Sequence, residues 1–205
     1  MFFLRWIVIG LCLAVMPAQA AGLSTAEQAE VDRLQAYLDR LVTLETTFRQ
    51  SDSAGNQASG RFWLHRPHRL RFEYDAPNPI LIVARGSFLV HFDKELKEAN
   101  YLDQEDTPAW FLLAENIRFG EQVRVRSVIR EGNLIAVTAA ERGKEEAGEV
   151  TLLFDHNPIK LRGWRLYDAG GNQVQVNLAA QRAGGTIDQE LFDFRPTDYL
   201  ALIHI

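Results

Sequence analysis

The sequence predicts a mainly β protein: a single curved antiparallel sheet of about eleven strands, forming an incomplete (half) barrel covered by an N-terminal helix and a short apolar lid helix. Three observations predict it. Short β-branched or aromatic runs recur along the chain, separated by Gly, Pro, Asn and Asp turn signals. The spacings between runs leave no room for crossover helices, so neighbouring strands run antiparallel. Only two segments carry helical signals, one long and amphipathic, one short and almost wholly apolar.

Residues 1–20 read as an export address rather than as structure. Arg5 supplies a positive start, Trp6 to Met16 an apolar run, and Pro17 precedes Ala18-Gln19-Ala20, whose small residues suit a peptidase. The run is too short to span ~30 Å of hydrocarbon, so cleavage after Ala20 is expected, leaving 21–205 as a single domain. Cys12 follows Leu11, where a lipid-attachment signal needs a small residue. The mature chain from Ala21 is then expected to be soluble, exported to an oxidising compartment, and free of cysteine and lipid.

The first element of the mature chain is a helix from about Thr25 to Val42. Ser24-Thr25-Ala26-Glu27 is a capping-box pattern, and Val31, Leu34, Leu38 and Leu41 follow at helical spacing with Asp32, Arg33, Asp39 and Arg40 opposite. Strands are then expected at 44–50, 60–65, 69–74, 80–84, 88–92 and 99–102. The lid helix begins after Thr107, as N-cap, with Pro108 at its first position, and carries Trp110, Phe111 and Leu113. Five more strands follow at 123–129, 134–139, 150–154, 161–167 and 174–178, broken by Glu131-Gly132-Asn133, the charged 142–149 stretch, His156-Asn157-Pro158 and Ala169 to Asn172.

Alternation assigns the faces. Leu70, Phe72 and Tyr74 alternate with Arg69, Arg71 and Glu73; Phe62 and Leu64 with Arg61, Trp63 and His65; Phe88, Val90 and Phe92 with Leu89 and His91. The concave face is therefore expected to carry Phe62, Leu64, Leu70, Phe72, Tyr74, Ile82, Val90 and Phe92, facing Leu38 of the helix, and the convex face the charges. These side chains either pack on each other and on the helices, or line an apolar cavity, because two helices cover less than the sheet offers.

Chemistry is sparse. The 205 residues hold 22 Lys and Arg against 27 Asp and Glu, a net charge of −5, which speaks against a nucleic-acid partner. One cysteine excludes disulfide frameworks, Cys-rich zinc sites and CxxC redox chemistry. No nucleophile elbow, Walker loop, GxGxxG or HExxH pattern occurs, and His65, His68, His91 and His156 are not spaced as ligands. We expect no catalytic residues, no metal and no cofactor. Arg61, Arg66, Arg69 and Arg71, interleaved with aromatics, form either a solvated strand face or a docking patch for an acidic partner or anionic lipid.

Gly60-Arg61-Phe62-Trp63-Leu64-His65-Arg66-Pro67 resembles the G-x-(apolar)-W-x-x-R-P segment of the periplasmic outer-membrane lipoprotein carriers, the LolA family. Phe48-Arg49-Gln50, Leu70 to Tyr74 with Pro77, Ile82 to Gly86, and Thr107-Pro108 through Ala114 resemble the family's flanking strands, turn and lid, so that Thr43 to Asn116 matches in order and spacing. The resemblance implies an open half-barrel that carries acylated lipoproteins from an inner-membrane lipoprotein-releasing ABC transporter to an outer-membrane receptor, as a periplasmic monomer. It implies that Arg66 is the latch that bonds to the lid and holds the empty form closed. The same fold also serves a lipid-anchored receptor and modules that bind or sense other lipids. Two departures stand out: Arg85 replaces an acidic turn residue, and the chain ends in an apolar tail, Tyr199 to Ile205.

Overall fold

Residues 22–107, 110–115 and 117–196 are described by the structure, a computed structural model. The export segment 1–20, the expected mature start at Ala21, Pro108 and the tail from Tyr199 to Ile205 lie outside the described residues.

Helix α1 (Thr25–Arg40) starts where the capping box places it. Ser24 Oγ accepts from the Glu27 amide at 3.3 Å, and the Glu27 carboxylate accepts from the Ser24 amide at 2.8 Å. Val31, Leu34 and Leu38 are buried on one side of it. It ends two residues before the expected Val42, with Leu41 as its C-cap.

Eleven strands follow: β1 (Thr43–Asp52), β2 (Gln57–His65), β3 (Arg69–Tyr74), β4 (Ile80–Arg85), β5 (Phe88–Asp93), β6 (Glu98–Asp103), β7 (Val123–Glu131), β8 (Leu134–Glu141), β9 (Gly148–His156), β10 (Ile159–Asp168) and β11 (Gln173–Ala183). They form one antiparallel sheet in the order β6-β5-β4-β3-β2-β1-β11-β10-β9-β8-β7. Two meanders, β1–β6 and β7–β11, thus join where the two longest-range partners, β1 and β11, pair. Among the described residues β6 and β7 do not pair, so the sheet stays open between them. The chain that joins β6 to β7 carries the short helix α2 (Trp110–Leu113).

Curvature has local causes. Register shifts occur between Glu45 and Thr47, between Leu161 and Gly163, and between Val125 and Ser127, and each such bulge bends and twists its strand. A Cβ at Gly163 would stand 2.0 Å from the Val176 carbonyl oxygen, so the close approach of β10 and β11 requires glycine there.

The concave face and α1 share one large apolar core. It contains Leu34 and Leu38 from the helix, Phe48, Phe62, Leu64, Leu70 and Phe72 from β1–β3, and Ile135, Val137, Leu152, Phe154, Trp164 and Val176 from β8–β11. The convex face departs from expectation. It is not simply charged: the chain after β11 crosses it and adds a second apolar layer. Trp63, expected on the wet side, is buried there against Ile187 and Phe192, and Leu81, Val83, Val90 and Phe92 form a further cluster with Phe194. Val90 and Phe92 therefore do not line the concave face. The β4–β5 register pairs Ile82 with His91 and Ala84 with Leu89, which puts Leu89 rather than Val90 into the concave core. Both parities of β5 can be apolar because both of its faces are covered.

Candidate functional site

The floor of the concave face is aromatic. Phe62 and Phe72 stack with ring centroids 4.3 Å apart; Phe48 meets Phe72 edge-on at 5.2 Å, and Trp164 meets Phe62 at 5.9 Å. From the open side, α2 lowers Phe111 onto this floor, edge-on to Trp164 at 5.8 Å. Phe111, Leu112 and Leu113 are all buried. The space expected as an apolar hollow is thus occupied by the lid: what remains beneath it, among Leu38, Leu64, Phe111, Leu112 and Ile117, is a void of about 10 Å³, room for about one water molecule.

The structure brings together most of the residues singled out from the sequence. Leu38, Phe62, Leu64, Leu70 and Phe72 lie in the concave core, with Tyr74, Ile82 and Trp110 half-buried at its margin and Phe111 and Leu113 seated within it. Val90 and Phe92 sit apart, on the other face. Leu112, which was not singled out, is buried as deeply as its neighbours.

Arg66 leaves the β2–β3 turn and points inward, 8% exposed. Its Nη1 donates to the Leu38 carbonyl at 2.7 Å, its Nη2 and Nε to the Ala114 carbonyl at 2.9 and 3.2 Å, and its Nη2 also to the Glu115 carbonyl at 3.3 Å. One guanidinium therefore ties the end of the lid to the end of α1, where it shares the Leu38 carbonyl with the Leu41 amide and meets the negative end of the helix dipole. Burial lowers the Arg66 pKa and the nearby Asp39 carboxylate partly offsets this; arginine stays charged nonetheless. Its partners are neutral carbonyls, so among the described residues no carboxylate cancels its charge at contact distance.

Three further ties hold the segment between β6 and β7. The His68 amide donates to the Leu113 carbonyl at 2.9 Å. Buried Gln104 enters with its Nε2 donating to the carbonyls of His68 and Phe88, at 3.2 and 3.1 Å. Gln35 of α1 clasps the exit: its Nε2 donates to the Ile117 carbonyl at 2.6 Å, and its Oε1 accepts from the Phe119 amide at 3.1 Å. The Thr107 hydroxyl donates back to the Gln104 carbonyl at 2.9 Å, and its own carbonyl accepts from the Trp110 amide at 3.1 Å. Sequence reasoning missed Gln35 and Gln104. Gln35 lies at the border of the helix's apolar stripe, which is the one weak signal it offers.

The arginine-rich stretch does not form one surface. Arg66 faces the core. Arg71 is buried, pairs with Glu73 at 3.2 Å and donates to the Leu191 carbonyl, while Arg69 donates to Gln189 at 2.7 Å. Arg61 lies over the Trp63 ring and pairs with Glu45 at 3.0 Å. Arg85, the departure at the β4–β5 turn, pairs with Asp193 of the covering segment. Among the described residues no three His, Cys, Asp or Glu side chains converge as a metal site, and no helix is long and apolar enough to cross a membrane.

The concave apolar face of an open sheet, stoppered by a hydrogen-bonded lid, makes this a half-barrel closed over by its own short helix. The chain belongs to the family of outer membrane lipoprotein carrier protein LolA, whose profile matches residues 39–195. An outer-membrane lipoprotein carrier protein from Methylococcus capsulatus is 30% identical over 194 residues, covering 90% of this chain and 92% of the relative. One from Chromobacterium violaceum is 27% identical, covering 87% and 90%. Among solved structures, a LolA superfamily protein from Nitrosomonas europaea aligns with a TM-score of 0.46 at 8% identity, covering 78% of this chain and 96% of its own.

Proposed function

We propose that the protein is a periplasmic carrier that shelters lipoprotein acyl chains on its concave face. As a monomer, it takes them from an inner-membrane lipoprotein-releasing ABC transporter and delivers them to an outer-membrane receptor. The observation that supports this most is the lid: Phe111, Leu112 and Leu113 fill the aromatic floor, yet the segment is held there by a handful of hydrogen bonds to backbone carbonyls and amides. The ligand-binding side chains in this reading are Leu38, Phe62, Leu64, Leu70, Phe72, Tyr74 and Ile82, with Trp110, Phe111 and Leu113 as the movable occupant and Arg66 as the latch.

Each methylene withdrawn from water contributes ~0.8 kcal/mol, so a multiply acylated protein is costly to leave free in solution. A carrier must nevertheless release. A lid that refills the floor lowers net affinity, because cargo has to displace side chains whose burial is worth about 2 kcal/mol each. Carriage and release need binding and lid motion only; no bond is made or broken.

Two measurements test the reading. Protein exported with its own leader and purified from the periplasm should carry acylated lipoproteins detectable by mass spectrometry; free phospholipid as the sole cargo would overturn the assignment. Phe111→Ala, which removes the lid ring that meets Trp164, should bind a diacylated peptide about tenfold more tightly and pass it more slowly to acceptor vesicles. An unchanged dissociation constant would remove the lid from the mechanism.

A further inference from the structure

Beside the stoppered floor, the margin of the same apolar core is not filled by the lid: Leu166 and Val174 stay half-buried, over buried Ala139 and Val150. Ala139 of β8, Val150 of β9, Leu166 of β10 and Val174 of β11 stand in register as one row across four strands. Trp110 at the start of α2 roofs this row, and the space between them is a cleft of about 400 Å³, open at one end of the half-barrel. Ligand pockets run from about 300 to 1,000 Å³. The cleft is therefore large enough for a ligand segment while the lid is still shut.

The rim of the cleft is acidic. Glu105, Asp106, Glu141, Glu149 and Asp168 line it against a single ammonium, Lys144. Two of these carboxylates are offset: Glu141 by Lys144 at 3.3 Å and Glu149 by Arg126 at 3.7 Å. No lysine or arginine pairs with Glu105, Asp106 or Asp168 among the described residues. Asp168 accepts from the Gly170 and Asn172 amides and from Asn172 Nδ2, each at 2.8 Å, which holds its carboxyl below the usual range and keeps it ionised. An apolar trough with a negative lip is matched by an acyl chain whose attached head is positive, and it repels an anionic head.

We infer that this cleft seats one acyl chain of the cargo in the closed form, and that its acidic rim selects acylated peptides with basic residues next to the anchor over anionic lipids. This rests on the carrier reading above and adds to it a docking site and a criterion of charge. The order of events follows from the geometry: a chain lying on the Ala139–Val174 row presses against Trp110, the first residue of α2, and so meets the lid at its hinge side before Phe111 has moved.

The test uses the whole protein and three synthetic diacylated peptides with identical chains, carrying four lysines, four serines or four glutamates. At low salt the lysine peptide should bind at least about tenfold more tightly than the glutamate peptide, and the ratio should shrink as salt screens the rim. The double variant Glu105→Gln/Asp106→Asn alters only exposed side chains and should cut the ratio to about threefold or less. Brominated chains should quench the emission that Trp110→Phe removes. Equal binding of lysine and glutamate peptides, an unaltered ratio in the double variant, or no quenching of Trp110 would overturn the cleft assignment while leaving the carrier standing. Failure of all three peptides to bind would overturn both.

Discussion

Arg66→Leu is expected to open the lid and to leave the sheet folded. The substitution strips the carbonyls of Leu38, Ala114 and Glu115 of their shared donor. The Leu38 carbonyl keeps its bond from the Leu41 amide at 3.1 Å, but the part-buried Ala114 and Glu115 carbonyls lose their donor. A carbonyl kept from water without a partner costs about 1–3 kcal/mol, and the cheapest remedy is to let water reach these two by lifting the chain at Ala114 and Glu115. Leucine also removes the desolvation cost that arginine bears, so the net bias toward the open form is smaller than the sum of the lost bonds. A bias of about 2 kcal/mol raises the open-to-closed ratio by roughly 30-fold. Hydrophobic dye binding should rise accordingly, and the His68 amide, which donates to the Leu113 carbonyl, should exchange faster with solvent hydrogen. Arg66→Lys should fall between, because a single ammonium cannot span both the lid and the end of α1. Wild-type dye binding together with wild-type protection of His68 would remove Arg66 from the latch.

Where the sequence could be read and where it could not follows from which contacts are local. The β3 strand was legible to the residue: its arginines and glutamate alternate cleanly with Leu70, Phe72 and Tyr74, and its observed bounds, Arg69–Tyr74, are the expected ones. β5 misled because apolar residues occupy both of its parities, and alternation cannot tell which cover lies on which side. What settles the matter is Phe194, about a hundred residues downstream, packed against Phe92 at 5.2 Å. Trp63 was misplaced for the same reason, its neighbours being Ile187 and Phe192. The pairing of β1 with β11 is equally non-local.

The lid illustrates a different limit. Its greasy side chains announce that they are buried, so Trp110, Phe111 and Leu113 stand out in the sequence. What holds them down does not announce itself. Gln35 and Gln104 are ordinary amides whose importance lies in the carbonyls they reach. Arg66 reads as a latch only through its place in a family pattern; on its own it reads as part of a solvated or docking arginine face. Burial is written in composition and periodicity; polar satisfaction is written in geometry, and becomes visible only when the backbone that needs a partner is on view.

Gly60→Ala should be among the most damaging single-methyl substitutions in the protein. Gly60 lies in β2 opposite both Phe48 of β1 and Tyr74 of β3. A Cβ there would stand 2.1 Å from the Glu73 carbonyl oxygen and 2.9 Å from the Phe48 ring. The missing side chain is what lets Phe48 lie edge-on to Tyr74 at 5.0 Å while Tyr74 Oη donates to Gln50 at 2.8 Å. An added methyl must push β3 off β2 or drive Phe48 out of the aromatic floor. Backbone and a packed ring have little freedom to give way, and overpacking of this kind costs about 3 kcal/mol. In a domain of this size that is a fall in Tm of about 10 °C, measurable by thermal or urea unfolding. Gly185→Ala is the matched control, since a Cβ there meets nothing within 4 Å, and it should stay within about 0.5 kcal/mol of the parent. Because Phe48 sits beside Phe72, whatever fraction of Gly60→Ala remains folded should also bind acyl chains less well, which links the glycine at the head of the β2 motif to the floor it shapes. A loss below about 1 kcal/mol would mean that β2 and β3 can part at this point without cost, and the floor would then be softer than its packing implies.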